Sequence, residues 1–72
     1  METIEIHTEY IKLQDLLKLT HLVASGGEGK IVIQDGQVSV NGEMCTMRGK
    51  KLRDGDEVSY GGRELKVVQA AQ

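Results

Sequence analysis

Cys45, His7 and His21 are the side chains in this 72-residue chain that could serve nucleophilic or metal-assisted chemistry. A thiol nucleophile needs a base beside it, and the base needs an orienting partner. No spacing joins the three residues, and so short a chain leaves little room for a closed pocket. Cys45 therefore reads as a small strand residue and His7 as a strand surface residue. His21 reads as a helix-end residue, where its partial charge suits the dipole. One cysteine forms no internal disulfide, and neither histidine stands at zinc-ligand spacing from it. The expectation is no enzyme, no cofactor and no metal.

Gly26-Gly27-Glu28-Gly29-Lys30 has the glycine content of a phosphate loop but neither its spacing nor its terminal Gly-Lys-Ser/Thr. It shares one physical asset with such loops. Amides at a helix N-terminus point outward with partial positive charge, and residues without side chains let a phosphate come close. Lys30, one turn in, would add a full charge. The same glycines would serve a tight turn equally well.

A third pattern is basic. Met44 to Arg53 holds Arg48, Lys50, Lys51 and Arg53 and no acid, although the whole chain carries −2. The acids lie to either side: Glu2, Glu5 and Glu9 before it, Asp54, Asp56 and Glu57 just after. Charge sorted along a chain can become charge sorted over a surface, and the plain alternative is a solvated loop. Lys12, Lys18 and Lys30 on neighbouring helices would bring up to seven basic side chains to one face. Phosphate contacts of that kind supply affinity that falls with salt. With no Trp, no Phe and only Tyr10 and Tyr60, the chain lacks the stacking platforms of single-strand binders.

These residues need elements to hold them. Thr3 to Thr8 alternates, with Ile4 and Ile6 on one side, and reads as a strand. Thr8 can cap the helix after it. Leu13, Leu16 and Leu17 fall at i, i+3, i+4 and predict an amphipathic helix over about Ile11 to Thr20. Ser25 with Glu28 three residues on has the capping-box pattern, which argues for a second helix to Asp35, ended by a left-handed Gly36. The glycines oppose it, each costing up to ~1 kcal/mol in a helix interior. Lys30-Ile31-Val32-Ile33-Gln34 and Gln37-Val38-Ser39-Val40 about Asp35-Gly36 also fit a hairpin. Local rules leave helix and strand nearly even, with the capping box slightly favouring the helix.

Asn41-Gly42 should turn Val38–Val40 back into Glu43–Thr46. Arg48 to Arg53 is expected as a basic loop and Arg53-Asp54-Gly55-Asp56 as a turn. Glu57–Tyr60, Gly61-Gly62 and Glu64–Val68 make a second hairpin, and Gln69 to Gln72 is expected to fray. No run approaches the roughly 18 apolar residues of a membrane span. The acidic start lacks the layout of a signal peptide, and one free thiol suits a reducing compartment, so the chain is expected in the cytoplasm.

The segment from Tyr10 to Tyr60 resembles a known family. Its matching residues are Ile11-Lys12-Leu13-Gln14-Asp15-Leu16-Leu17-Lys18, Ser25-Gly26-Gly27-Glu28-Gly29-Lys30 and Gln37-Val38-Ser39-Val40-Asn41-Gly42-Glu43. They end with Arg48-Gly49-Lys50-Lys51-Leu52-Arg53-Asp54-Gly55-Asp56. Together they resemble the RNA-binding domain named after small-subunit ribosomal protein S-four, the alpha-L motif, in its short stand-alone bacterial form of YaaA or YbcJ type. Val-x-Val-Asn-Gly followed by a basic stretch and Arg-x-Gly-Asp is the most specific part. The resemblance covers about two-thirds of the chain and favours the second helix.

It implies an α+β domain over residues 1–72, with a motif core at about residues 10–60. Two short helices would pack on a small, mostly antiparallel sheet. Carried over by position, the RNA contacts would be Lys12, Lys18, Ser25, Gly26, Gly27, Lys30, Asn41, Arg48, Lys50, Lys51 and Arg53. Asn41 has turn geometry as its first duty and RNA contact as its second. Ribosomal members usually carry Arg after the motif Ser and a further basic residue nearby, where Gly26 and Gly27 stand here. The expected partner is structured RNA, ribosomal or transfer RNA, with the ribosome or its assembly intermediates behind it. The rival reading is a protein-interaction module that has kept the fold and lost strong RNA binding. It is motivated by the net negative charge and the missing arginine.

Overall fold

Leu13, Leu16 and Leu17 are each fully buried, which is what the i, i+3, i+4 spacing demands of one helical face. In the computed structural model, which describes residues 1–70, they lie on helix α1 (Leu13–Leu19). The helix is shorter than the expected Ile11–Thr20. Ile11–Lys12 instead form a two-residue strand, β2, antiparallel to β5 (Lys51–Leu52). Thr8 does not cap α1; its Oγ1 donates to the Tyr10 carbonyl at 2.8 Å. The first amides of α1 are satisfied from a distant segment. Leu13 N–H donates to the Lys50 carbonyl (2.9 Å) and Gln14 N–H to the Arg48 carbonyl (3.1 Å). Two of the orphan donors that every helix start presents are thus met by tertiary structure rather than by a local side chain.

Helix α1 closes on a Schellman pattern, in which Leu22 N–H donates to the Leu17 carbonyl and His21 N–H to that of Lys18. His21 takes the left-handed position, φ 60°. Helix α2 (Gly26–Gln34) follows at once. Ser25 Oγ accepts from Glu28 N–H at 3.2 Å, and the Glu28 carboxylate accepts from Ala24 N–H at 3.3 Å. The capping box therefore forms, with its return bond one residue early. Lys30 to Gln34 lie within α2, which buries Val32 and Ile33, so the segment is helix and not the first strand of a hairpin. Gly36, φ 78°, ends α2 with the same Schellman pattern. A Cβ there would sit 2.7 Å from Met44 Sδ.

The remaining strands are β1 (Glu2–Ile6), β3 (Ser39–Val40), β4 (Glu43–Met44), β6 (Glu57–Tyr60) and β7 (Arg63–Gln69). They form one sheet in the order β1-β7-β6-β3-β4. Every pair is antiparallel except β1 with β7. The architecture is the expected two helices on a small, mostly antiparallel sheet. Several bounds moved. β1 stops at Ile6, leaving His7 beyond it with its side chain 74% exposed. The strand expected over Glu43–Thr46 keeps only Glu43–Met44, although Cys45 N–H still donates to the Val38 carbonyl. The basic loop is in part strand β5, with Leu52 buried completely.

The tail does not fray where expected. Gln69 pairs with Ile6, donates its amide to Asp54 Oδ1 (2.8 Å) and its side chain to the Thr8 carbonyl (3.2 Å). Ala70 N–H reaches the Ile6 carbonyl at 2.8 Å. The rest of that expectation, residues 71 and 72, lies outside the described residues. Across the start of the same strand pair, Arg63 donates to both oxygens of Glu2 at 2.8 and 2.6 Å. The guanidinium holds the Glu2 carboxyl below the usual carboxylate range. The clamp is therefore complete at neutral pH and is lost as acid protonates Glu2.

The core joins α1 and α2 to the inner sheet face through Val38, Val58, Leu65 and Val67, and no polar side chain is buried in it among the described residues. There too, no helix is long and apolar enough to cross a membrane, and no three His, Cys, Asp or Glu cluster as metal ligands.

Candidate nucleic-acid interface

The β2–β5 ribbon carries a cluster of basic residues. Ile11 pairs with Leu52 and anchors the ribbon in the core, and Lys12 pairs directly with Lys51. Side chains on a strand alternate, so one face is apolar and the other cationic. Arg53, two residues after Lys51, falls on the cationic side. Its Nη1 lies 3.3 Å from Glu9 Oε1. Arg48 and Lys50 are drawn to the same place because their carbonyls cap α1. Lys12, Arg48, Lys50, Lys51 and Arg53 are thereby gathered around one helix end, and all but Leu52 of this basic segment stay exposed.

The second group lies between the helices. Lys18, Ser25 and Gly26 border an open groove of about 810 Å³, together with Ile11, Leu19 and His21. Ile11 belongs to both groups, so the groove runs up to the ribbon. Gly27 continues the first turn of α2, and Lys30 stands exposed four residues beyond Gly26, on the same side of the helix. Neither Gly26 nor Gly27 has a positive φ. A Cβ at Gly26 would meet nothing within 4 Å, and one at Gly27 only Ser25 Oγ at 3.8 Å. The tight-turn explanation of these glycines therefore fails, since neither backbone nor packing requires them. Their amides have no acceptor within the helix. The neighbouring Glu28 carboxylate opposes an anion there.

Asn41 is occupied elsewhere. At φ 52° it turns β3 into β4. Its side-chain carbonyl accepts from Glu57 N–H (2.9 Å), and its amide donates to Asp56 Oδ1 (3.1 Å). Asp56 Oδ2 in turn accepts from Arg53 N–H at 2.8 Å. The residue that the sequence reading missed is Tyr10. Its ring lies 4.9 Å from Lys51 Nζ and 5.8 Å from Arg53 Cζ. The only signal in the sequence was its place before Ile11-Lys12, because both cations come from the far half of the chain.

The sequence profile of the S4 domain matches residues 4–68. The chain belongs to the S4 domain family. Among known proteins it is similar to YbcJ of Escherichia coli K12, 41% identical over 59 residues that cover 82% of this chain and 84% of YbcJ. It is also similar to RlbA of Bacillus subtilis 168, named as a probable ribosome maturation protein. That match is 42% identical over 59 residues, 82% of this chain and 83% of RlbA. The solution structure of YbcJ superposes with a TM-score of 0.72 at 38% identity, covering 94% of this chain and 87% of that one. The alpha-L motif of YbcJ is described as involved in RNA binding. In this S4 domain the two most specific motif segments meet physically. Asn41 of Val-x-Val-Asn-Gly and Arg53 of Arg-x-Gly-Asp are both tied to Asp56, so that part of the family signature is a structural joint beside the cations.

Proposed function

We propose that this S4 domain binds double-helical or folded RNA, ribosomal or transfer RNA, through phosphate contacts, as a cytoplasmic module without catalysis or cofactor. The observation that carries the reading is the convergence of Lys12, Arg48, Lys50, Lys51 and Arg53 at the N-terminal end of α1 in a chain of net charge −2. A-form RNA is read mainly by shape and backbone, which agrees with cations and open amides rather than aromatic platforms. The names of YbcJ and RlbA support the same reading and point toward the ribosome or its precursors.

Titration of a structured RNA at two or more salt concentrations tests it. With about five phosphates neutralised, log K against log salt should slope at roughly −3.5 to −4.5. Lys50→Ala with Lys51→Ala should weaken binding alike for different sequences and make the slope shallower by about 1.4–1.8. An unchanged slope removes the ribbon from the site. No binding at low salt, or binding indifferent to salt, favours the protein-interaction module instead.

A gain should be reachable at α2. Because the space at Gly26 is open, Gly26→Arg is expected to fold normally with little change in stability, since the first helical position lies outside the helix interior and a cation there opposes the dipole. It should also steepen the salt slope by about 0.7–0.9. Thermal unfolding and the same titration read the two effects. An unaltered slope places the start of α2 outside the RNA footprint.

A further inference from the structure

The outward face of the β2–β5 ribbon crowds its cations in a way that folding alone does not favour. Lys12 and Lys51 are direct cross-strand partners, and like charges so placed repel. One step further along the same register sets Tyr10 opposite Arg53. The ring takes both neighbouring cations within about 6 Å, the reach of a cation–π contact, at 4.9 Å for Lys51 Nζ and 5.8 Å for Arg53 Cζ. Lys51 has no carboxylate partner among the described residues. Arg53 has Glu9, whose side chain is 81% exposed, and so exposed a pair is weak and screened. A carboxylate would hold a cation by cancelling its charge. An aromatic ring holds it while leaving the charge available to a third group.

We propose that Tyr10 is a positioning residue of the RNA site, whose ring presets Lys51 and Arg53, beside Lys12, as a clamp for one phosphodiester. The proposal rests on the RNA-binding reading above and deepens it. Lys and Arg side chains lose rotamer freedom when they close on a phosphate. A ring that orders them beforehand removes part of that loss. The phosphate also relieves the Lys12–Lys51 repulsion, so the crowding that disfavours the free ribbon favours the complex.

The experiment compares Tyr10→Phe and Tyr10→Leu, each in the wild-type chain and in a Lys51→Ala/Arg53→Ala background. All bind one hairpin RNA at two salt concentrations. Tyr10→Phe keeps the ring and should bind within about twofold of wild type. Tyr10→Leu should lose about five- to tenfold at low salt. That loss should shrink to less than about twofold in the double-alanine background, the coupling expected if the ring acts only through the two cations. A loss undiminished there means that Tyr10 stacks on RNA or supports the fold, and overturns the proposal. Tyr10→Leu binding like wild type overturns it as well. The ring-current shift of the Lys51 side-chain protons gives a readout independent of any loss of folding. It should be present in the wild type and in Tyr10→Phe, and its absence from the wild type also refutes the clamp. If the wild type fails to bind RNA at low salt, the RNA reading falls and the clamp with it; if it binds and Tyr10→Leu matches it, only the clamp falls.

Discussion

Replacing Leu52 with alanine is expected to cost about 2–5 kcal/mol of folding stability, the range for emptying a fully buried leucine site. Leu52 has no exposed surface, and it is the one buried residue of the basic segment. Its partner across the ribbon is Ile11, which is only partly buried, so Leu52 is the main side-chain anchor of β5, beside the backbone bonds that tie Arg48 and Lys50 to α1. Domains of this size have a few kcal/mol to lose, and chemical denaturation should show the midpoint fall sharply. A second consequence separates Leu52 from other core leucines. Leu16→Ala should cost a similar amount, yet leave RNA affinity per folded molecule unchanged. Leu52→Ala should lower that affinity too, because the anchor that fixes Lys51 and Arg53 is gone. Equal affinities for the two folded variants would show that the ribbon does not need its anchor to bind.

Asn41→Ala is expected to destabilise the domain by about 3 kcal/mol. Two side-chain hydrogen bonds, to Glu57 and Asp56, are lost, each of a kind worth about 1 kcal/mol. Alanine must also adopt φ near 52°, at about 1 kcal/mol or more. Asn41→Gly keeps the turn geometry and should cost less. Asp56→Ala removes the same bond from the other end along with that to Arg53 N–H. The two alanine substitutions should therefore combine to less than their sum in denaturant titrations. RNA affinity per folded molecule should change little in Asn41→Ala, since both ends of the side chain are already engaged by Asp56 and Glu57. A large, salt-dependent loss of affinity at constant stability would return Asn41 to the contact set.

Distance along the chain decides which features the sequence shows and which it hides. Leu13, Leu16 and Leu17 announce their helix because burial repeats with the helical period inside a few residues. Ser25 and Glu28 likewise announce the start of α2 within one turn. Ile11-Lys12 were misassigned to α1 because the partner that draws them into a strand, Lys51-Leu52, lies in the other half of the chain. The cap of α1 was assigned to Thr8 for the same reason; its true acceptors are the carbonyls of Arg48 and Lys50. Of the candidate site, the run from Arg48 to Arg53 is plain in one dimension. That Lys12 stands opposite Lys51, and that Tyr10 gathers two of the cations, depends on a register no local rule specifies. Asn41 was legible as a turn residue, whereas the bonds that occupy its amide were not.

The parallel pairing of β1 with β7 has a consequence for how the chain comes into being. Residues 2–6 find their partners in residues 65–69, the widest separation in sequence that the sheet contains. Closing so long a loop adds little to the entropic penalty, which grows only logarithmically. It does add delay, because distant contacts slow folding. On a ribosome adding about 5–20 residues per second, the first strand made must wait for the last, with Ile4 and Ile6 uncovered. The two helices and the β3–β4 hairpin can form meanwhile from neighbouring residues. Tyr10 lies nearer in sequence to Lys51 and Arg53 than β1 does to β7, so contact order favours assembly of the cationic face before the sheet is sealed.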